Sequence, residues 1–365
     1  MKKNSGLLDL YVDYLIASTS YTTATGMSKM LSNKISHDKI TRFLSKLNYQ
    51  PSDLWKISKK VVRNSDDDGC LIVDDSISEK PYTDENDIIC YHFDHSKNRT
   101  VRGINFVTAL HYNGDTSLPV SYDIVRKTDE KIDEKTGKKK RVSPISKNEK
   151  FINLVDISIK NKVPFRHVLA DIWFSSAKNM RTIKEDYHKD FVIPVKKNRN
   201  VALSKKDKNK GLYVRVDTLE FGEDSTRVVW LEGIDFPITI AKQVFKNEDD
   251  SEGVLYITTS DASLTYDQIA TIYKKRWKVE EFHKSLKNNA SLAASPTKTV
   301  KTQENHLFAS MCAFIRLEGI SLHRKQNHFC LKSNLYIKAL KHAYKVLKKL
   351  YSGFTFDHVF QETRA

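Results

Sequence analysis

Two short aliphatic runs, each closed by an acid, limit what this chain can fold into more than anything else in it. Cys70-Leu-Ile-Val73 runs into Asp74-Asp75-Ser76, and Val168-Leu-Ala170 runs into Asp171. Segments of this length, rich in β-branched and aliphatic residues, read as buried strands. A strand that finishes in an acid presents a carboxylate at its open end. Successive side chains along a strand point to opposite faces, so only one of Asp74 and Asp75 can face a common site.

A third acid lies on a helix-forming stretch, Tyr273 to Lys287. At about 100° per residue, Tyr273, Arg276, Glu280 and Lys287 fall within about 60° of one another. Ile272, Val279, Phe282 and Leu286 form an apolar stripe on the neighbouring face, which holds the helix down. Glu281 lies about 80° from Tyr273 and off that face. One carboxylate ringed by cations on a packed surface suits a metal ligand working beside a polyanion. The plain alternative is a surface helix with a lysine-rich polar side. Two acids at strand ends and one on a helix are the smallest set that holds two divalent cations.

Charge points the same way. Sixty-one Lys and Arg against 45 Asp and Glu leave +16, the electrostatic footprint of a nucleic-acid partner. Apolar content of 39% is that of a globular protein. No apolar run reaches the ~18–20 residues that span a bilayer, and Asp9 and Asp13 interrupt any signal-like hydrophobic region, so a cytoplasmic, DNA-associated protein is expected. Cys70, Cys90, Cys312 and Cys330 form no CxxC pair, which argues against structural zinc and leaves buried or inert thiols.

Along the chain, residues 1–66 read as helical. Ser36 is a good N-cap for a helix with Ile40, Phe43, Leu44 and Leu47 on one face and His37, Lys39, Arg42 and Lys46 on the other. That is a plausible helix-turn-helix, or else a small helical platform. Strands are expected at 70–75, 102–112 and 117–125, the last two joined through Asn113-Gly114. Residues 79–101 read as an exposed loop and 126–150 as a charged, flexible excursion. A helix at about 147–160, a strand at 165–171, a helix at about 175–187 and a strand at 191–195 complete a core over 67–195. Three antiparallel strands followed by helix, strand, helix, strand is the RNase H-like order, an α/β fold on a mixed sheet. Residues 196–263 read as a β-rich insertion, 264–300 as the Glu280-bearing return to the core, and 301–365 as a C-terminal helical region.

The Tyr273-x2-Arg276-x3-Glu280-x6-Lys287 spacing matches the signature of the IS4-type DDE transposases. Asp-Asp-Ser at 74–76 and Ala-Asp-x-Trp-Phe-Ser at 170–175 resemble that family's first two acidic motifs. The resemblance spans the chain to about residue 290. It implies a DNA transposase that binds transposon ends, cuts them and joins them to target DNA. Two Mg²⁺ ions (Mn²⁺ as a substitute) would be held by Asp75, Asp171 and Glu280. Asp75 is favoured over Asp74 because the family's acid is followed directly by a small hydroxyl residue, here Ser76. The resemblance also implies double-stranded DNA as partner, with Tyr273, Arg276 and Lys287 on phosphate near the cut and a homodimer synapsing two ends. Lys284 shares the catalytic face and is a further phosphate contact. Trp230, in the insertion, is the candidate to stack on a flipped base, the alternative being a core tryptophan. Trp173 is expected to pack in the core beside the second Asp. Two other functions stay open: a metal-dependent nuclease without strand transfer, and a non-catalytic DNA-binding protein derived from a transposase.

Overall fold

The computed structural model describes residues 5–65, 68–132, 134, 137–222, 225–246 and 250–350. Four helices open it: α1 (Ser5–Ala17), α2 (Ala24–Met30), α3 (His37–Lys46) and α4 (Pro51–Val62). The Ser36 hydroxyl accepts the Lys39 N–H at the start of α3, and Ile40, Phe43 and Leu44 are its buried face. Pro51 stands at the first position of α4, where a missing N–H costs nothing.

The core follows as β1 (Cys70–Glu79), β2 (Ile89–Asp94), β3 (Arg99–Tyr112), β4 (Ser117–Ile124), an outlying ribbon of β5 (Asp129–Ile132) and β6 (Lys139–Val142), α5 (Lys147–Lys160), β7 (His167–Ala170), α6 (Ala177–Arg181) and β8 (Asp190–Val195). Strand β1 pairs antiparallel with β3 and parallel with β7, β7 pairs parallel with β8, and β4 lies antiparallel on β3. The spatial order β8-β7-β1-β3-β4 is a mixed sheet with helices on its faces, as the chain order leads one to expect. The β3–β4 hairpin turns at Asn113-Gly114, with Gly114 at φ +100° and the Asn113 side chain accepting the Thr116 N–H at 2.8 Å.

Three segments of the core depart from expectation. Strand β1 does not finish at the acids but continues to Glu79 along β3, so Asp74 and Asp75 stand inside it. Residues 79–101 are not simply a loop, because Ile89–Asp94 forms β2 and pairs with the start of β3. The Asp and His residues there mask a strand that alternates from Cys90 on, with Cys90 and His92 buried and Tyr91 and Phe93 exposed. The charged stretch after residue 126 carries the two-stranded β5–β6 ribbon, exposed along most of its length.

Residues 196–263 interrupt the chain but not the sheet. Here lie β9 (Asn200–Ala202), α7 (Lys205–Asn209), β10 (Val214–Arg215), β11 (Thr226–Leu231), β12 (Ile238–Lys246) and β13 (Glu252–Thr259). Strand β13 pairs with β8, so the sheet grows to 11 strands among the described residues. The chain then returns through α8 (Tyr266–Lys274), α9 (Trp277–Asn288), α10 (Val300–Arg324) and α11 (His328–Leu350). Residues 351–365 of the expected C-terminal region lie outside the described residues. Among the described residues no helix is long and apolar enough to cross a membrane.

The sheet separates two cores. On β1, Cys70 and Ile72 pack with Phe106 and Leu110 of β3 and with Val279, Phe282 and Leu286 of α9. Leu71 and Val73 pack on the other side with Phe151, Leu154 and Val155 of α5. This division decides where each acid points.

Candidate active site

The three acids arrive from three elements. Val73 of β1 and Ala170 of β7 are the last in-register partners of the parallel pair. One residue further on come Asp74, still within β1, and Asp171, just past the end of β7, near enough for the Asp171 charge to act on Asp74. Alternation from Ile72 and from Leu169 sends both toward the α9 side of the sheet. The acid that shares the face of Asp171 is therefore Asp74, not Asp75 as the resemblance implied. The identity of the following residue, Ser76, says nothing about which face an acid takes.

Glu280 comes from α9, whose Val279, Phe282 and Leu286 are buried as their spacing requires. Arg276 connects it to the strands: its Nη1 lies 3.5 Å from Asp74 Oδ2 and 3.4 Å from Glu280 Oε1. Burial works against the Arg276 charge, but Tyr273, Asp74, Asp171 and Glu280 outweigh it and hold the guanidinium above its usual range. Asp74, with 15% of its side chain exposed, is pushed up to about 8. Burial is the main cause and the Asp75 carboxylate adds to it, with Arg276 and the Asp75 N–H opposing and Asp171 contributing in the same upward sense.

The helix expected over 273–287 is two helices. At the joint, Arg276 N–H bonds to Tyr273 O and Val279 N–H to Arg276 O. These i→i+3 bonds tighten one turn between α8 and α9. The turn lays Arg276 over the Tyr273 ring, 5.9 Å from its centroid. Tyr273 and Arg276 thus sit behind the carboxylates, and neither lines the cleft in front of them.

That cleft, about 680 Å³, is walled by Asp74, Asp75, Ser76 and Ile77 of β1 and by Asp171, Trp173 and Phe174 after β7. Glu280, His283, Lys284, Lys287 and Asn288 of α9 form a second wall. It opens where it does because β7 stops at Ala170 while β1 runs on to Glu79. Asp75 faces the α5 side, where it accepts hydrogen bonds from Lys147 Nζ at 2.7 Å and Asn105 Nδ2 at 2.9 Å. Lys284 and Lys287 line the cleft, and burial holds the Lys287 ammonium below its usual range.

Trp230 is elsewhere. It lies on β11 and pairs with Ala202 of β9, and β11 is separated from β1 by β12, β13, β8 and β7. Trp173, expected in the core, is instead 54% exposed and lines the cleft. Sequence reasoning also missed Phe93, His95, Lys147 and His283. The available signals were polar residues inside an apolar strand. Asn105 and Thr108 interrupt β3; Asn105 binds Asp75, and Thr108 Oγ1 lies 2.9 Å from His283 Nε2. Burial chiefly, with the Lys287 charge, drops His283 to about 3, so it stands neutral in the α9 wall.

Residues 66–315 match the family described as Transposase DDE domain. The chain belongs to that family. The match covers more than two thirds of this transposase, from just before β1 into α10. No curated protein sequence matches it. Among solved structures it is similar to the Drosophila P element transposase strand transfer complex, at 10% identity and a TM-score of 0.28. The alignment covers 56% of this chain and 48% of that one, so the chain spans under half the length of the matched structure, a likeness too loose to place any residue.

The donor set of the transposase suits a hard divalent cation. Carboxylate oxygens are the preferred ligands of Mg²⁺ and Mn²⁺, and the one imidazole on the α9 wall is committed to Thr108. Among the described residues no three His, Cys, Asp or Glu side chains already stand at coordinating distance. Arg276 pairs with both Asp74 and Glu280.

Proposed function

We propose that the protein is a transposase of the IS4 type that binds transposon ends as double-stranded DNA, cuts them and joins them to target DNA. The observation that carries this reading is the pair Asp74 and Asp171, side by side on one sheet face, with Glu280 sharing Arg276 with Asp74. In it, Asp74, Asp171 and Glu280 hold Mg²⁺ or Mn²⁺, and Asp75 is a neighbour tied to Lys147. Bound at these acids, two such ions would activate the attacking oxygen and stabilise the leaving one.

The chain's own groups bind and orient. Lys284 and Lys287 on one wall and Lys147 on the other set cations around a site for one phosphodiester. Arg276, stacked on Tyr273, holds the carboxylates in place and neutralises part of their mutual repulsion. The +16 excess draws the duplex in by counterion release. A homodimer is the assembly that synapses two ends.

The test is a supercoiled plasmid bearing the element's ends, incubated with protein and Mg²⁺ and resolved for nicked, excised and joined products. Joined products are expected, and chelation by EDTA should remove them. Cutting without joining would favour a nuclease, and no Mg²⁺-dependent cutting would sink the catalytic reading. Lys287→Ala is expected to weaken duplex binding whatever the sequence and to lower the slope of log affinity against log salt by about 1. A fluorescence-anisotropy salt titration measures it.

A further inference from the structure

Above the acids, at the mouth of the cleft, aromatic rings from separate elements meet. Trp173 is held in a 3₁₀ turn, Ile172–Phe174, that follows Asp171 directly. Phe174 anchors that turn by stacking on Phe151 at 4.8 Å. The period of three sends Phe174 inward and Trp173 outward. His95, from the β2–β3 turn, lies 4.7 Å from the Trp173 ring, and Phe93 lies 4.8 Å from His95. That turn is itself fixed, since Asp94 Oδ1 accepts the Ser96 and Lys97 N–H groups. From beyond β8, Lys196 Nζ stands 5.1 Å from the Trp173 ring centroid. Even so, Trp173 stays 54% and Phe93 47% exposed. Large apolar rings kept in water by rigid supports, beside a cation and a polar cleft, mark a binding surface rather than core.

We propose that Trp173, braced by His95 and Lys196, is the stacking site for the base of an unpaired nucleotide next to the phosphate held at the acids. This rests on the reading that the cleft takes DNA. Every base offers a π-face, so an aromatic platform binds unpaired nucleotides with little regard to sequence, and a neighbouring lysine supplies the charge for the backbone. A base inside a duplex has both faces covered by its neighbours and cannot use the platform until it is unstacked. The site therefore selects DNA that is frayed or single-stranded at the cleft mouth. It differs in position and in residues from Trp230, which lies across the sheet.

Two probes test this without divalent metal, so that nothing is cut: a short oligothymidylate carrying one 2-aminopurine, and a blunt duplex of equal length. The full-length protein should bind both and quench the 2-aminopurine of the single strand. Trp173→Ala should weaken single-strand binding by about 10- to 100-fold, abolish the quenching and leave duplex affinity unchanged. Trp173→Phe should retain most of both signals, which separates loss of a ring from loss of fold. Unchanged single-strand binding by Trp173→Ala, or an equal loss on both probes, overturns the stacking site while the DNA reading stands. A wild-type protein that binds neither probe overturns both.

Discussion

Asp74→Asn is expected to lower strand cleavage by about a thousandfold or more, roughly 4 kcal/mol of transition-state stabilisation, while Asp75→Asn leaves cleavage within about tenfold of wild type. The two positions are neighbours in sequence with the same side chain, so the contrast isolates direction alone. Asp74 points with Asp171 to the face that α9 covers, and Arg276 links it to Glu280. Asp75 points to the α5 side and is already satisfied by Lys147 and Asn105. Replacing its carboxylate by an amide keeps an oxygen for Lys147 and removes only a partly buried ion pair away from the α9 face. Plasmid cleavage rates in Mg²⁺ give the first measurement and Mn²⁺ titration by calorimetry the second. Weakened Mn²⁺ binding is expected for Asp74→Asn and Asp171→Asn. An active Asp74→Asn beside an inactive Asp75→Asn would reverse the assignment.

The start of β1, the end of β7 and the buried stripe of α9 were legible because each depends on a local pattern, whereas the run of β1 past its acids to Glu79 was not, because it comes from pairing with β3. Three aliphatic residues before an acid, or apolar residues at helical spacing, bury themselves wherever the chain goes. Alternation also showed that Asp74 and Asp75 must part. It could not show which of them faces α9, because that depends on the pairing of Val73 with Ala170 across about a hundred residues of chain. The same limit hid the growth of the sheet. Strands β11 to β13 are visible one by one, but their attachment through β13 to β8 is a long-range pairing. Trp173 misled for a different reason. An Ile-Trp-Phe triplet looks like core, and two of its three side chains would be buried in a strand or an α-helix packed on the sheet. In the 3₁₀ turn Phe174 alone goes fully inward. Strand β2 was obscured by its polar residues, since His92 is buried among them and an exposed loop is the natural reading of so much polarity.

Phe282→Ala is expected to cost about 3–5 kcal/mol of stability, a large part of the roughly 5–15 kcal/mol that holds a protein folded. Phe282 is 1% exposed and meets Phe314 of α10 edge-on, 4.7 Å between centroids at 89°. This ring fastens the helix that carries Glu280 to the rest of the α9 face, and close packing leaves no neighbour free to fill the gap. Urea unfolding measures the cost; a loss under about 1 kcal/mol would mean that α9 is held by something else. Phe282→Leu keeps most of the volume and should cost less. Cleavage should fall with Phe282→Ala even where the protein is still folded, because Glu280 is two residues away and its distance to Arg276 depends on where α9 sits. A carboxylate placed among cations beside two other acids gains little from its own surroundings until an ion or DNA arrives. Its position must then be supplied by apolar contacts on the opposite side of the same helix, so stability and catalysis at this site rest on the same ring.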